Sequence, residues 1–149
     1  MTRVLITDYT FPDLQIEESV LQDPQIEVTG GQYKTVDDLK PMVADADAVI
    51  TQFAPVDRDV IAAMQNARVI VRYGIGVDNV DLEAATEKNI PVCNIPDYCI
   101  DEVADHTLAF ILGLTRQVTP NALSIREGEW GLATPLDQMR TLRDQTVGI

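Results

Sequence analysis

Basic residues are scarce in this chain: 11 Lys and Arg stand against 24 Asp and Glu, a formal net charge of -13. A field of that sign repels nucleic acid and anionic lipid, so neither is expected as a partner, and any anionic ligand must be held by a local device. Long apolar runs are missing as well. No stretch approaches the roughly 18 uninterrupted apolar residues of a membrane span, and the start, MTRVLITDYT, has no signal-peptide core. The sequence therefore reads as soluble and cytoplasmic. The only cysteines, Cys93 and Cys99, are spaced too widely for a Cys-x-x-Cys redox or zinc motif and have no secretory context; ordinary reduced thiols are the plain reading. No metal site, internal repeat or low-complexity tract is apparent.

What is present suffices for one core of ordinary size: 149 residues, 46% of them hydrophobic. Short β-branched runs at 4–7, 27–29, 48–52, 68–72 and 91–94 alternate with helical patterns at 14–22, 36–46, 57–64 and 82–88. That alternation is the signature of βα units around a parallel sheet. Thr35 followed by Asp38 resembles a capping box, and Asp57 and Asp81 are natural N-caps. Five such units in so short a stretch predict an α/β, flavodoxin-like parallel sheet of order 2-1-3-4-5.

The texture then changes. Residues 100–118 are apolar around most of a helical circumference, which calls for packing on more than one side. Pro120 is expected to stop that helix, residues 122–127 to form a short second one, 131–140 to be loop-like, and 145–149 to begin a new strand.

Within RYGIGVDNVD, Gly74-Ile75-Gly76 follows the fourth strand, at the carboxyl edge where ligands of open α/β sheets gather. Two glycines allow a tight turn and bring backbone N–H groups close to an anion. The dinucleotide fingerprint would place Gly or Ala where Asn79 stands and would open a helix directly, whereas here the helix begins near Asp81. A simple βα turn and a carboxylate or phosphate cradle both remain open. Arg72, at the strand end, either pairs with a bound carboxylate or forms a surface ion pair. Asp78 and Asn79 read as local anchors that fix the loop and cap the next helix. Asp8 invites comparison with a phosphoacceptor in a receiver-like domain, but no Lys-Pro follows the fifth strand.

The run VRYGIGVDNVDLEAATEKNIPVCNIP, then DEVADHTLAFILGLTRQ and GEW, closely resembles the N-terminal part of the D-isomer-specific 2-hydroxyacid dehydrogenases, in particular the phosphoglycerate dehydrogenase and C-terminal-binding-protein branch. The resemblance implies that residues 1–100 are an incomplete substrate-binding domain, 101–140 a crossover helix and linker, and 141–149 the start of a truncated, Rossmann-type NAD-binding domain. It implies a 2-hydroxy or 2-keto acid substrate, NAD as cofactor, and a homodimer or other self-association. Arg72, Tyr73, Gly74, Ile75 and Gly76 would bind the substrate carboxylate, largely through loop N–H groups. Ile75 and Thr107 would face the cofactor.

The family's catalytic arginine, acid and histidine have no counterparts at matching positions, so this chain alone is expected to be inactive. His106, the only histidine, reads as a helix-surface partner of Asp105 and Glu102. Thr107 has the alternative of bonding back to its own helix. A non-enzymatic, dinucleotide-sensing co-repressor module is the rival from another functional class.

Overall fold

The computed structural model describes residues 1–148. The chain divides into one unit of Met1–Tyr98 and a second that starts at Cys99. In the first, β1 (Thr2–Ile6), β2 (Ile26–Gly30), β3 (Ala48–Thr51), β4 (Val69–Arg72) and β5 (Val92–Cys93) form a parallel sheet in the order β2-β1-β3-β4-β5. This is the predicted α/β architecture. Central β1 buries Val4, Leu5 and Ile6 in succession, because a parallel sheet is covered on both faces and has no solvent side for alternate residues. Edge strand β2 is half-buried or exposed along its length.

The connecting helices are α1 (Gln15–Val20), α2 (Val36–Val43), α3 (Arg58–Ala63) and α4 (Leu82–Glu87), each shorter than its sequence pattern. Their starts lie where the capping residues put them. The Thr35 side chain accepts the Asp38 N–H, and its hydroxyl donates to Asp38 Oδ2 at 2.6 Å. Asp57 Oδ1 accepts from the N–H groups of Asp59 and Val60, and Asp81 Oδ1 from that of Ala84 at 2.8 Å. Each bond satisfies a helix-terminal donor that has no intrahelical partner.

Leu39 and Val43 of α2 and Val60 and Ile61 of α3 meet Val49 and Ile70 of the sheet in one core. Lys88 closes the other end of α3, its ammonium donating to the carbonyls of Ile61, Ala62 and Met64 at 2.9, 3.0 and 2.7 Å. In α1, by contrast, Ile16 and Val20 face solvent, and only Leu14, just ahead of the helix, is buried.

The second unit holds α5 (Ile100–Thr115), α6 (Val118–Arg126) and two single 3₁₀ turns at Leu136–Gln138 and Leu142–Asp144. Two expectations are corrected here. Pro120 does not end the long helix: the break falls at Gln117, in the left-handed region at φ 53°, and Pro120 lies within the first turn of α6. A proline is tolerated there because the N–H it lacks would have had no intrahelical acceptor. Residues 145–148 form no strand, since among the described residues no neighbour supplies ladder hydrogen bonds; Ile149 lies outside the described residues. No helix among the described residues is long and apolar enough to cross a membrane.

Candidate carboxylate-binding loop

Strand β4 delivers Arg72 and Tyr73 to the carboxyl edge of the sheet, where the Tyr73 N–H donates to the Thr51 carbonyl at 2.8 Å. The chain then turns sharply. Gly74 has φ 154°, and its N–H bends back onto the Arg72 carbonyl at 2.8 Å. A Cβ on Gly74 would collide with Arg72 Nη1, because the guanidinium folds directly across this residue. Glycine is thus required for backbone conformation and for the placement of Arg72 together.

The Ile95 N–H donates to the Gly74 carbonyl at 3.0 Å, and Asn94 Nδ2 to the Ile75 carbonyl at 2.8 Å. In a trans peptide the N–H of the next residue points opposite to the carbonyl. Anchoring these two carbonyls on the exit of β5 therefore turns the N–H groups of Ile75 and Gly76 the other way. Neither they nor the N–H groups of Val77 and Asp78 find an acceptor among the described residues. A row of unpaired donors on a glycine turn is a concavity suited to an anion. Gly74 itself is not one of these donors, contrary to the expectation for it.

Arg72 makes no ion pair among the described residues, which removes the surface salt bridge as its role. Its guanidinium lies 5.8 Å from the centroid of the Phe53 ring, a cation–π contact, and its Nε is buried without a partner. Tyr73 is fixed from the opposite end of the side chain. Its hydroxyl donates to Glu17 Oε1 at 2.9 Å, and its ring meets Phe11 edge-on at 5.4 Å. Burial first, then the Glu17 carboxylate, pushes the phenol above its ordinary range, so it stays protonated as a donor.

Asn79 ties the loop to the segment after β3: its Nδ2 donates to the Ala54 carbonyl at 3.0 Å and its carbonyl accepts from Val56 at 2.8 Å. It fixes the loop, as expected, but Asp81 and not Asn79 caps α4. Asp8 is a buried scaffold residue. Its carboxylate accepts from the N–H groups of Gln52 and Phe53, at 3.0 and 2.7 Å, and from the Thr7 hydroxyl at 2.8 Å. Burial alone would raise its pKa, but these donors outweigh that effect and hold it below the usual carboxylate range.

In the second unit the Thr107 hydroxyl donates to the Val103 carbonyl at 2.7 Å, one turn back along α5. His106 makes no ion pair with Asp105 or Glu102; its ring stands edge-on to Phe110 at 4.4 Å, a spacing of four residues that stacks the two rings on one helix face. Both cysteines are free, and no metal-holding group of acids, histidines or cysteines exists among the described residues. Sequence reasoning missed Asn94 and Phe53. Nothing local marks either role, because the partners, Ile75 and Arg72, are distant in the chain.

Residues 4–140 match the family model described as D-isomer specific 2-hydroxyacid dehydrogenase, catalytic domain. The chain is 38% identical over 132 residues, 87% of its own length, to the D-3-phosphoglycerate dehydrogenase of Methanocaldococcus jannaschii, and spans about a quarter (24%) of that relative. Identity to the Sus scrofa D-3-phosphoglycerate dehydrogenase is 37% over 131 residues, again 87% of this chain and 24% of the relative. Among solved structures, the TT0316 protein of Thermus thermophilus superposes with a TM-score of 0.71 at 32% identity, covering 91% of this chain and 43% of that one. The NAD+-bound 3-phosphoglycerate dehydrogenase of Entamoeba histolytica gives 0.66 at 26% identity, over 76% of this chain and 39% of its own.

Proposed function

Because the chain belongs to the D-isomer specific 2-hydroxyacid dehydrogenase family, we propose that it supplies the carboxylate-binding side of an oxidoreductase that interconverts a D-2-hydroxy acid and its 2-keto acid. The observation that carries this reading is the run of unpaired N–H groups at residues 75–78 beside an unpaired Arg72. A carboxylate has two oxygens. Loop N–H donors take one of them while the guanidinium takes the other, and two charge-assisted contacts fix the orientation of the carbon they hold. Gly74 makes room for Arg72, and Tyr73, locked to Glu17, holds the strand end from which both project.

NAD is the cofactor of this reading, and when bound it supplies or accepts the hydride. The fit to this chain is partial. Ile75 is 43% exposed and offers an apolar face for a nicotinamide ring beside the loop. Thr107 is the second cofactor contact of the reading, but its proton is already engaged by Val103, so it would serve only as an acceptor or by packing. The Gly74 turn has no third glycine and opens no helix, so the pyrophosphate is not assigned to it. The share of the reaction proposed for residues 1–149 is substrate orientation, without turnover of its own.

Titration of the isotopically labelled chain with pyruvate tests this. Saturable amide shifts at residues 75–78, weakened about tenfold by Arg72→Gln, are expected, the loss of one charge-assisted contact being worth about 1.4 kcal/mol or more. No shift there overturns the reading, as does NADH-dependent reduction of a 2-keto acid by the 149-residue chain for the absence of turnover.

Self-association belongs to the same proposal. In α5 and beyond, Phe110, Leu114 and Trp130 are 60%, 70% and 94% exposed, more large apolar surface than single scattered residues provide. A second copy of the chain would cover it, and sedimentation giving a strict monomer at high concentration would count against that. An intracellular, reducing setting accords with two free thiols.

A further inference from the structure

In the order β2-β1-β3-β4-β5 the chain changes direction between β1 and β3. Connections leaving those two strands run to opposite faces of the sheet, and the loops part to leave a crevice at their carboxyl ends, the usual position for a ligand in such folds. The Gly74 loop follows β4 and does not line this crevice. What lines it includes Tyr9 after β1, Gln32, Tyr33 and Lys34 after β2, and Phe53 and Pro55 after β3, around a volume of about 300 Å³. That is the lower end of small-molecule sites, room for one ring and a short substituent.

The walls are already held in place. Gln32 Nε2 donates to the Tyr9 carbonyl at 2.7 Å, Gln52 exchanges hydrogen bonds with Thr10 at 2.7 and 3.1 Å, and Asp8, which also lines the crevice, has its carboxylate engaged by the Gln52 and Phe53 N–H groups. The one cation at the rim is Lys34, and its ammonium makes no ion pair or hydrogen bond among the described residues. Of the three lysines, Lys34 alone has no such partner among the described residues. Arg3, Lys40 and Arg58 all face carboxylates, and Lys88 is bonded to three carbonyls.

We propose that this crevice binds a small aromatic carboxylate, its ring among Tyr9, Tyr33 and Phe53 and its charge on Lys34. Aromatic walls favour a planar ring by offset or edge-on stacking. A single cation within a net charge of -13 favours a monoanion over a polyanion. The site is separate from the carboxylate loop, with Phe53 as their shared neighbour: one side of the crevice is its ring, and the same ring receives Arg72.

The test is a titration of the labelled chain with benzoate, with benzyl alcohol as the ring without charge and acetate as the charge without ring. Saturable amide shifts at Tyr9, Lys34 and Phe53 are expected for benzoate only, with affinity reduced about tenfold by Lys34→Met and changed less than about twofold by Arg72→Gln. Lys34 is exposed, and methionine keeps an unbranched apolar stem, so the variant is expected to fold. Absence of saturable shifts overturns the proposal. So does a Lys34→Met variant that binds benzoate as well as the parent, or a response confined to residues 75–78 and lost in Arg72→Gln.

Discussion

Helices α2 and α5 treat their apolar side chains in opposite ways. The eight residues of α2 include Leu39 and Val43, both fully buried against α3 and the sheet. The 16 residues of α5 are richer in Leu, Ile, Val and Phe, yet none is buried. Apolar composition therefore identifies a surface that needs cover, and the neighbouring elements decide whether it gets any. Removing a Leu or Val side chain from water contributes roughly 1.5–3 kcal/mol. The first unit collects that contribution many times over from the residues that surround Ile70 and Val49, and the folded chain leaves it uncollected along α5.

The widest gap between the two regions should come from truncating their apolar residues. Ile70 has no exposed surface and lies between Val49 of β3 and Val92 of β5. Ile70→Ala removes most of the side chain from a close-packed place that cannot fully collapse, and is expected to cost about 2–5 kcal/mol. Urea denaturation followed by circular dichroism measures it through the midpoint. A loss below about 1 kcal/mol would mean that the sheet core is not the source of stability inferred above.

Asp8 supplies a polar version of the same contrast, a charge stabilised because the first unit surrounds it with donors. Its folded pKa lies below the ordinary carboxylate range. The sign follows directly: a depressed pKa contributes stability that is fully present above the unfolded value, near 3.9, and is lost as pH falls through the folded value. Asp8→Asn replaces one acceptor oxygen by an amide donor facing other donors, and should cost about 1–3 kcal/mol at pH 7. Denaturation curves of parent and variant should converge as pH falls through the folded value, where the parent carboxyl becomes protonated as well. A constant difference from pH 7 down to acid would refute the charge-based account.

A smaller effect is expected at the helix caps, which depend on short-range geometry in place of core packing. Asp81→Ala removes the acceptor for the Ala84 N–H and should cost about 1 kcal/mol by the same urea assay. This feature was readable in the sequence, as were Thr35 and Asp57, because a cap and its helix are adjacent in the chain. Sheet order was readable for a related reason: β-branched runs alternating with helical patterns leave few ways to connect a parallel sheet. The two glycines of the loop and the arginine before them were visible as well.

Other features depend on partners distant in sequence. Nothing beside Asn94 says that it holds the Ile75 carbonyl, and nothing beside Arg72 says that it will lie across Gly74 with its face toward Phe53. The break between α5 and α6 was misread for a different reason. Proline is a conspicuous breaker and Gln117 is not, but a proline in a first helical turn lacks only a donor that would have been unpaired, whereas a left-handed residue ends the helix whatever its side chain.

The smallest effect should come from α5. Leu112 is 50% exposed in a helix with no buried residue, so Leu112→Ala removes few contacts within the folded chain. Alanine also has the higher helix propensity, by a few tenths of a kcal/mol, which offsets part of what is lost. At concentrations low enough to suppress association, the variant should unfold within about 0.5 kcal/mol of the parent. If α5 is covered by a second copy, the two proteins should diverge as concentration rises, since a partner that binds only the folded chain stabilises it by mass action. A loss above about 2 kcal/mol in the dilute protein would show that Leu112 is buried within a single chain, and the contrast between α2 and α5 would fail at its simplest point.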